Sequence, residues 1–452
     1  MATAAITPGE DCLVFVGSYT DFDILAHLPK NDQLGAGVYC FRFSKGELHP
    51  LSVIPSLNPA VLSLHPSAKQ TLYALSEGIK EDGLITRVKY AYAADEDKLR
   101  VIGPNEETPT KGKSLCYFRV DPVSLRYGIA VNYWNGSIDV FRMREQDGSV
   151  LSHVRHIEHL DICRSLRSAS AAADGNSAPR RQVRDRVDHW QNRQCGPHAH
   201  SVHFHKEWVF VPDLGENGIF QYRWRPDKGQ LLEFEAVLHL HEGAGPRHCV
   251  FDREKRACFV SNELDSTITV LRIDEDEPDE VRCRLKAIQT IDTAASRQTE
   301  QDVNRKNYVA EIGMSADGRF VYVSNRGLDT LAIFEAAEDG KLTPVDYVST
   351  FGKTPRHFAI SPDGGWLIGA NQDSNNLVVF RRDAKGGGLK MHKRYDAEVK
   401  APNFVLFAPL GEVLKDDEAE QAGQKKGERA EWLQMAMAVL FVAVLCGLLA
   451  AF

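Results

Sequence analysis

The sequence has no Cys-x-x-Cys pair, no Gly-x-Ser-x-Gly elbow and no excess of positive charge. Its nine cysteines are scattered through 452 residues from Cys12 to Cys446. An odd number without zinc or redox spacing predicts reduced, mostly buried thiols. Without the serine elbow, a nucleophilic Ser-His-Asp hydrolase is disfavoured. A formal charge of -8 offers no basic stripe for a phosphate backbone, so a nucleic-acid partner is set aside. The opening residues MATAAITPGED contain neither the basic nor the apolar region of a secretory signal, which predicts a cytoplasmic body.

Long uncharged apolar runs are missing until the end of the chain. There, Met435 to Phe452 carries no charge for 18 residues, preceded by Trp432 and by a charged stretch from Glu412 to Glu431. At about 1.5 Å per helical residue such a run approaches the roughly 30 Å hydrocarbon core of a bilayer. The expectation is a charged linker over 411–431 and a transmembrane helix over 432–452, anchoring the protein to an intracellular membrane.

Within residues 11–410, repetition is the main signal. A short apolar strand recurs seven times: NPAVLSLHP at Asn58, SLCYFRVDP at Ser114, GPHAHSVHF at Gly196, GPRHCVFD at Gly245, VAEIGMSAD at Val309, TPRHFAISPD at Thr354 and APNFVLFAP at Ala401. Between these lie β-hairpins with polar turns, clearest in ACFVSNELDSTITVLR and FVYVSNRGLDTLAIFE. The chain starts on a hairpin with no inner strand before it and ends on an inner strand with no hairpin after it. Pairing the two ends completes one unit and leaves no open edge. The predicted fold is all-β, a seven-bladed propeller closed by its N- and C-terminal strands. Three polar insertions, at about 80–113, 161–194 and 274–306, interrupt the spacing; the second holds six arginines between Arg164 and Arg186 and reads as a solvated surface loop.

In a propeller, polar residues at the starts of inner strands converge on one mouth of the central channel. His198, His200, Arg247, His248, Glu311, Arg356 and His357 occupy such starts, while Glu263 and Arg326 fill equivalent hairpin turns in SNEL and SNRG. Arginine suits an anionic sugar acid and an oxyanion, and a histidine or carboxylate supplies a base. In HAHSVHFH, His198 and His200 share one strand face and His203 and His205 the other, too few ligands for a zinc site. No metal or cofactor is expected.

The phrases VGSYT, RQCGPHAHSV, VPDLGENGIFQYR, GAGPRH, SNELDSTITV and GKTPRHFAISPDGGWLIGANQDSNNLVVFR resemble the lactonase seven-bladed propeller family, which includes bacterial 6-phosphogluconolactonases and fungal carboxy-cis,cis-muconate cyclases. The likeness runs from Asp11 to Pro409, is strongest after Arg193, and excludes the tail. It implies a hydrolase that opens an anionic sugar-acid lactone, of the pentose phosphate pathway type. It also implies a catalytic cluster of one histidine, two arginines and one glutamate, matched here by His198 or His200, Arg247, Glu263 and Arg326; His248, Glu311 and Arg356, from their places at the channel mouth, are expected to bind substrate. The alternatives are a lactonising cyclase and a non-catalytic membrane-tethered scaffold.

Overall fold

The apolar hairpins form strands buried on both faces because each blade is sandwiched between two others. Residues Ala257–Asn262 are buried at every position, whereas the outer strand Leu285–Asp292 is largely exposed. A computed structural model describes residues 11–410 apart from position 28, 175–192, 253, 255, 275–282 and 296–305. It contains seven antiparallel sheets, six of four strands and one of five. The expected closure is present: β1 (Cys12–Ser18) pairs with β2 (Val38–Ser44) on one side and with the last strand, β29 (Pro402–Pro409), on the other, with Cys12 opposite Pro409 and Gly17 opposite Phe404.

Inner strands form at all seven expected places, although the one expected over GPHAHSVHF is reduced to three residues. They are β4 (Pro59–Leu64), β9 (Leu115–Val120), β13 (His203–His205), β17 (Pro246–Asp252), β21 (Tyr308–Met314), β25 (Pro355–Ile360) and β29. In five of the seven blades the residue just before the inner strand is left-handed: Asn58, Ser114, Gly245, Thr354 and Ala401, with φ from 39° to 62°. The chain arrives there from the rim and must turn sharply into the channel. Asn58 secures its turn by accepting the Thr20 and Asp21 amide hydrogens on Oδ1 at 2.7 and 2.8 Å. At Gly245 the close approach is also steric, since a Cβ would lie 2.5 Å from Leu264 Cγ.

Blades adhere through apolar faces. Ile129, Val131, Ile138 and Val140 pack against Val209, Val211, Phe220 and Tyr222 of the following blade, all buried. Each such side chain contributes about 1.5–3 kcal/mol on burial, so the ring is held by many similar contacts. The eight described cysteines are free, six of them buried.

Two expectations need correction. The insertions at 80–113 and 274–306 contain blade strands: β6 (Asp82–Ala93), β7 (Lys98–Val101) and β8 (Glu106–Lys113) in the former, and β20 (Leu285–Asp292) in the latter. The polarity of β7, β8 and β20 marks solvent-facing outer strands, whereas β6 is buried over most of its length. The insertion at 161–194 begins inside α1 (His159–Asp174); the arginines from Arg180 to Arg186 lie outside the described residues. The membrane helix is likewise not supported: no helix among the described residues is long and apolar enough to cross a membrane. The linker 411–431 and the run 432–452 lie outside the described residues. That expectation rested on composition at the lower limit of spanning length.

Candidate active site

A buried small or polar residue closes the second strand of most blades, and in several of them the residue after it lines the channel mouth. Ser18, Ser76, Asn132, Asp213, Asn262, Asn325 and Asn371 are the pegs, all buried. Asn262, for example, donates to Thr269 Oγ1 at 2.8 Å and Asn371 to the Thr350 carbonyl at 3.0 Å. The residues that follow are Tyr19, Glu77, Tyr133, Leu214, Glu263, Arg326 and Gln372. Four of them, Glu77, Tyr133, Glu263 and Arg326, line one cavity of about 90 Å³ together with His198, His200, Arg193, Arg247 and Arg356.

Glu263, 3% exposed, is the centre of that cavity. Its Oε1 meets Arg326 at 2.9 Å and also pairs with Arg193; its Oε2 lies 3.2 Å from Arg247 Nε and 4.0 Å from His200 Nε2. Burial alone would raise this carboxyl, but the guanidinium groups of Arg193, Arg326 and Arg247 hold it well below the usual range. Arg326 shows the other side of the balance. Its burial, with further guanidinium groups nearby, outweighs Glu263 and lowers it to about 10.

Arg356 pairs with Glu77 at 3.3 Å, and Glu77 accepts the Tyr19 hydroxyl hydrogen at 2.6 Å. Despite burial, Arg356 and its neighbours keep Glu77 low. Four arginines therefore face two ionised carboxylates in this cavity. The surplus positive charge is a place for an anion.

His198 and His200 both reach the cavity, although the strand β13 begins only at His203 and Ala199 makes a single bridge to Asp213. His203 is instead buried against Ser201 Oγ at 2.9 Å. The His198 ring stacks on Tyr133, with centroids 4.7 Å apart, and its Nδ1 lies 3.0 Å from the Tyr133 carbonyl. A carbonyl only accepts, so Nδ1 carries the hydrogen and the lone pair is at Nε2. Burial, then Arg247, lowers His200 well below its ordinary value and keeps it neutral.

His248 and Glu311 form a second cluster with His357. Glu311 Oε2 lies 2.9 Å from His248 Nδ1 and 3.2 Å from His357 Nε2. Burial raises Glu311 and lowers both histidines, His357 to about 4. Of the expected site residues, His198, His200, Arg247, Glu263, Arg326 and Arg356 are brought together in one cavity, with His248 and Glu311 beside Arg247.

Several residues of the cavity were not singled out from sequence: Arg193, Glu77, Tyr133 and His27. The turn position already noted for Glu263 and Arg326 would have yielded Glu77 from LYALSEG and Tyr133 from AVNYWNG. Arg193 was hidden in an arginine-rich insertion.

Away from the channel, Asp139, His153 and His156 place one ligand atom each within 4.8 Å of one another. Asp139 Oδ1 lies 2.7 Å from His153 Nε2 and 2.8 Å from His156 Nδ1, which are hydrogen-bond distances. The Asp139 bond raises His156, and hydrogen bonds from His156 and His153 overcome burial to lower Asp139. The raised histidine stabilises the fold fully below about pH 6.5, its unfolded value, and loses that contribution as pH rises through its folded pKa. The lowered carboxyl acts at the other end, losing its contribution as pH falls through its folded pKa. Thermal unfolding of His156→Gln should therefore show a flatter decline on the alkaline side than the parent.

Residues 13–407 match the family described as lactonase, 7-bladed beta-propeller. The chain is 28% identical over 385 residues to a 6-phosphogluconolactonase of Formosa agariphila, covering 83% of this chain and 94% of that protein. It is also 28% identical to the 6-phosphogluconolactonase of Bacillus subtilis, covering 78% and 90%. The periplasmic gluconolactonase of Pseudomonas aeruginosa superposes with a TM-score of 0.70 at 26% identity, over 89% of this chain and all of that one. Ring closure, inner-strand sequences and this match over nearly the whole folded body agree: the chain belongs to the lactonase seven-bladed β-propeller family.

Proposed function

We propose that the protein is a hydrolase that opens an anionic sugar-acid lactone, of the 6-phosphogluconolactonase type, at the Glu263 cavity. The observation that carries this reading is the surplus of guanidinium groups around Glu263 beside a histidine of fixed tautomer. Relatives named for that activity support it.

A lactone is an activated ester, so the chemistry needs a positioned water and charge stabilisation. His198 Nε2 takes a proton from water as the water oxygen bonds to the lactone carbonyl carbon. The carbonyl oxygen becomes an oxyanion held by Arg247 and Arg326, whose charges are preorganised by Glu263. Collapse breaks the bond to the ring oxygen, which leaves as an alkoxide and recovers the proton from His198. One water is consumed and one hydroxy acid released.

Glu263 acts here as a positioning residue, because its oxygens are already engaged by three arginines and its proton affinity is low. Arg247→Ala is expected to lower kcat on freshly generated 6-phosphogluconolactone by about 10²–10³, the usual cost of one oxyanion donor. A loss below threefold in a folded variant would remove Arg247 from that role.

A further inference from the structure

Outside the channel, one side-chain cluster is used by neither the ring closure nor the Glu263 cavity: Asp139, His153 and His156. Strand β11 (Ser137–Met143) pairs with the outer strand β12 (Val150–Glu158) so that Asp139 stands opposite His156 and Phe141 opposite His153. The register shifts between Val140 and Phe141, leaving Val154 as the extra residue of a β-bulge. In a regular strand, residues three apart point to opposite faces. Here the bulge turns both histidines onto the face of Asp139.

The repeated blades serve as internal controls. Five other sheets shift register at the same place between their third and outer strands. In none of the five do the three corresponding positions hold histidine, cysteine or a carboxylate. They are Thr269, Thr290 and Ala287 in one blade, and Val378, Arg394 and Met391 in another. The fold therefore does not require this trio. In this blade it accepts a carboxylate with no exposed surface, which is costly unless the charge is matched.

The trio is arranged as a ligand set. Asp139 Oδ2 accepts hydrogens from Asn132 Nδ2 at 2.8 Å and from the Lys111 amide at 3.0 Å, which turns Oδ1 to the histidines. His153 Nε2 and His156 Nδ1 lie 2.7 and 2.8 Å from Oδ1. Ligand atoms around a tetrahedral zinc ion stand about 3.3 Å apart, so these contacts need to open by only about 0.5 Å. The histidine side chains are 20% and 23% exposed, which leaves a path of entry and room for water to complete the coordination. Glu158 Oε1 lies 3.7 Å from His156 Nε2, placed to face its ring hydrogen when Nδ1 holds a metal.

We propose that Asp139, His153 and His156 bind one divalent transition-metal cation of the zinc class, as a clip between β11 and β12. Each imidazole presents a lone pair to the ion and carries its ring hydrogen on the other nitrogen. Two imidazoles and one carboxylate suit zinc or nickel, whereas magnesium and calcium take oxygen ligands. None of the three residues lines the Glu263 cavity, so the site is independent of the lactone reading and acts on stability.

The test is calorimetric titration of the full chain with zinc chloride and with magnesium chloride, alongside thermal unfolding with and without zinc. Expected is one tightly bound zinc ion per chain, not displaced by excess magnesium, and a higher melting temperature in its presence. His153→Gln and His156→Gln are made separately, because both rings reach the surface and either folded variant suffices. Each should weaken zinc binding at least about tenfold and remove most of the thermal gain. His241→Gln, which removes an exposed histidine paired with Asp265 elsewhere, should leave both unchanged. A chain that takes up no zinc, or whose zinc binding survives both substitutions or is matched by magnesium, would overturn the proposal.

Discussion

Glu263→Gln is expected to cost about 3–5 kcal/mol of folding stability, the range found when one partner of a buried ion pair is removed. The substitution keeps the shape of the side chain but leaves Arg193, Arg247 and Arg326 facing one another without their common counterion. Arg326 already lies at about 10 with Glu263 present, so it has little capacity to absorb more repulsion. Glu311→Gln should cost less, because burial already draws that carboxyl toward its neutral form. Urea denaturation of both variants measures the difference. An added multivalent anion should restore part of the Glu263→Gln loss by taking the place of the carboxylate. A Glu263→Gln loss below about 1 kcal/mol would mean that the arginines are not held by this residue.

The second large effect concerns proton transfer. His198→Gln should lower kcat by about 10²–10⁴, the usual contribution of a positioned acid or base, with a much smaller change in KM. The reason lies in the Tyr133 carbonyl, which fixes the Nδ1 hydrogen and thereby aims the basic nitrogen. His200 is a weaker candidate, since burial and Arg247 press its proton affinity well down. His200→Gln is accordingly expected to do less harm than His198→Gln when both remain folded. The opposite order would exchange their roles.

The fold was legible because propeller geometry repeats its demands. Seven copies of a short inner strand, and a chain that begins and ends out of phase, are visible in the letters and reappear as seven sheets with β29 beside β1. The outer strands were harder to read. Solvent covers one side of them, so Glu106–Lys113 and Leu285–Asp292 have the polarity of loops. Burial in a neighbouring blade, which gives the inner strands their apolar signature, is missing there.

Site residues followed the same logic. The places of Glu263 and Arg326 in the cavity are legible because their turns, SNEL and SNRG, are near copies of each other. Glu77 occupies the same place in a blade whose turn has diverged, and its importance comes from Tyr19 and Arg356, 58 and 279 residues away in the chain. His27 and Arg193 enter from connections whose sequence has no periodicity to reveal their direction. Only closure of the ring brings them together.

The most direct test is the rate at which 6-phosphogluconolactone disappears in the presence of the purified protein, measured against spontaneous hydrolysis, with the product identified by NMR. Expected is catalytic formation of 6-phosphogluconate, abolished or nearly so by His198→Gln and Arg247→Ala in folded protein. A wild-type rate equal to the spontaneous one would contradict it.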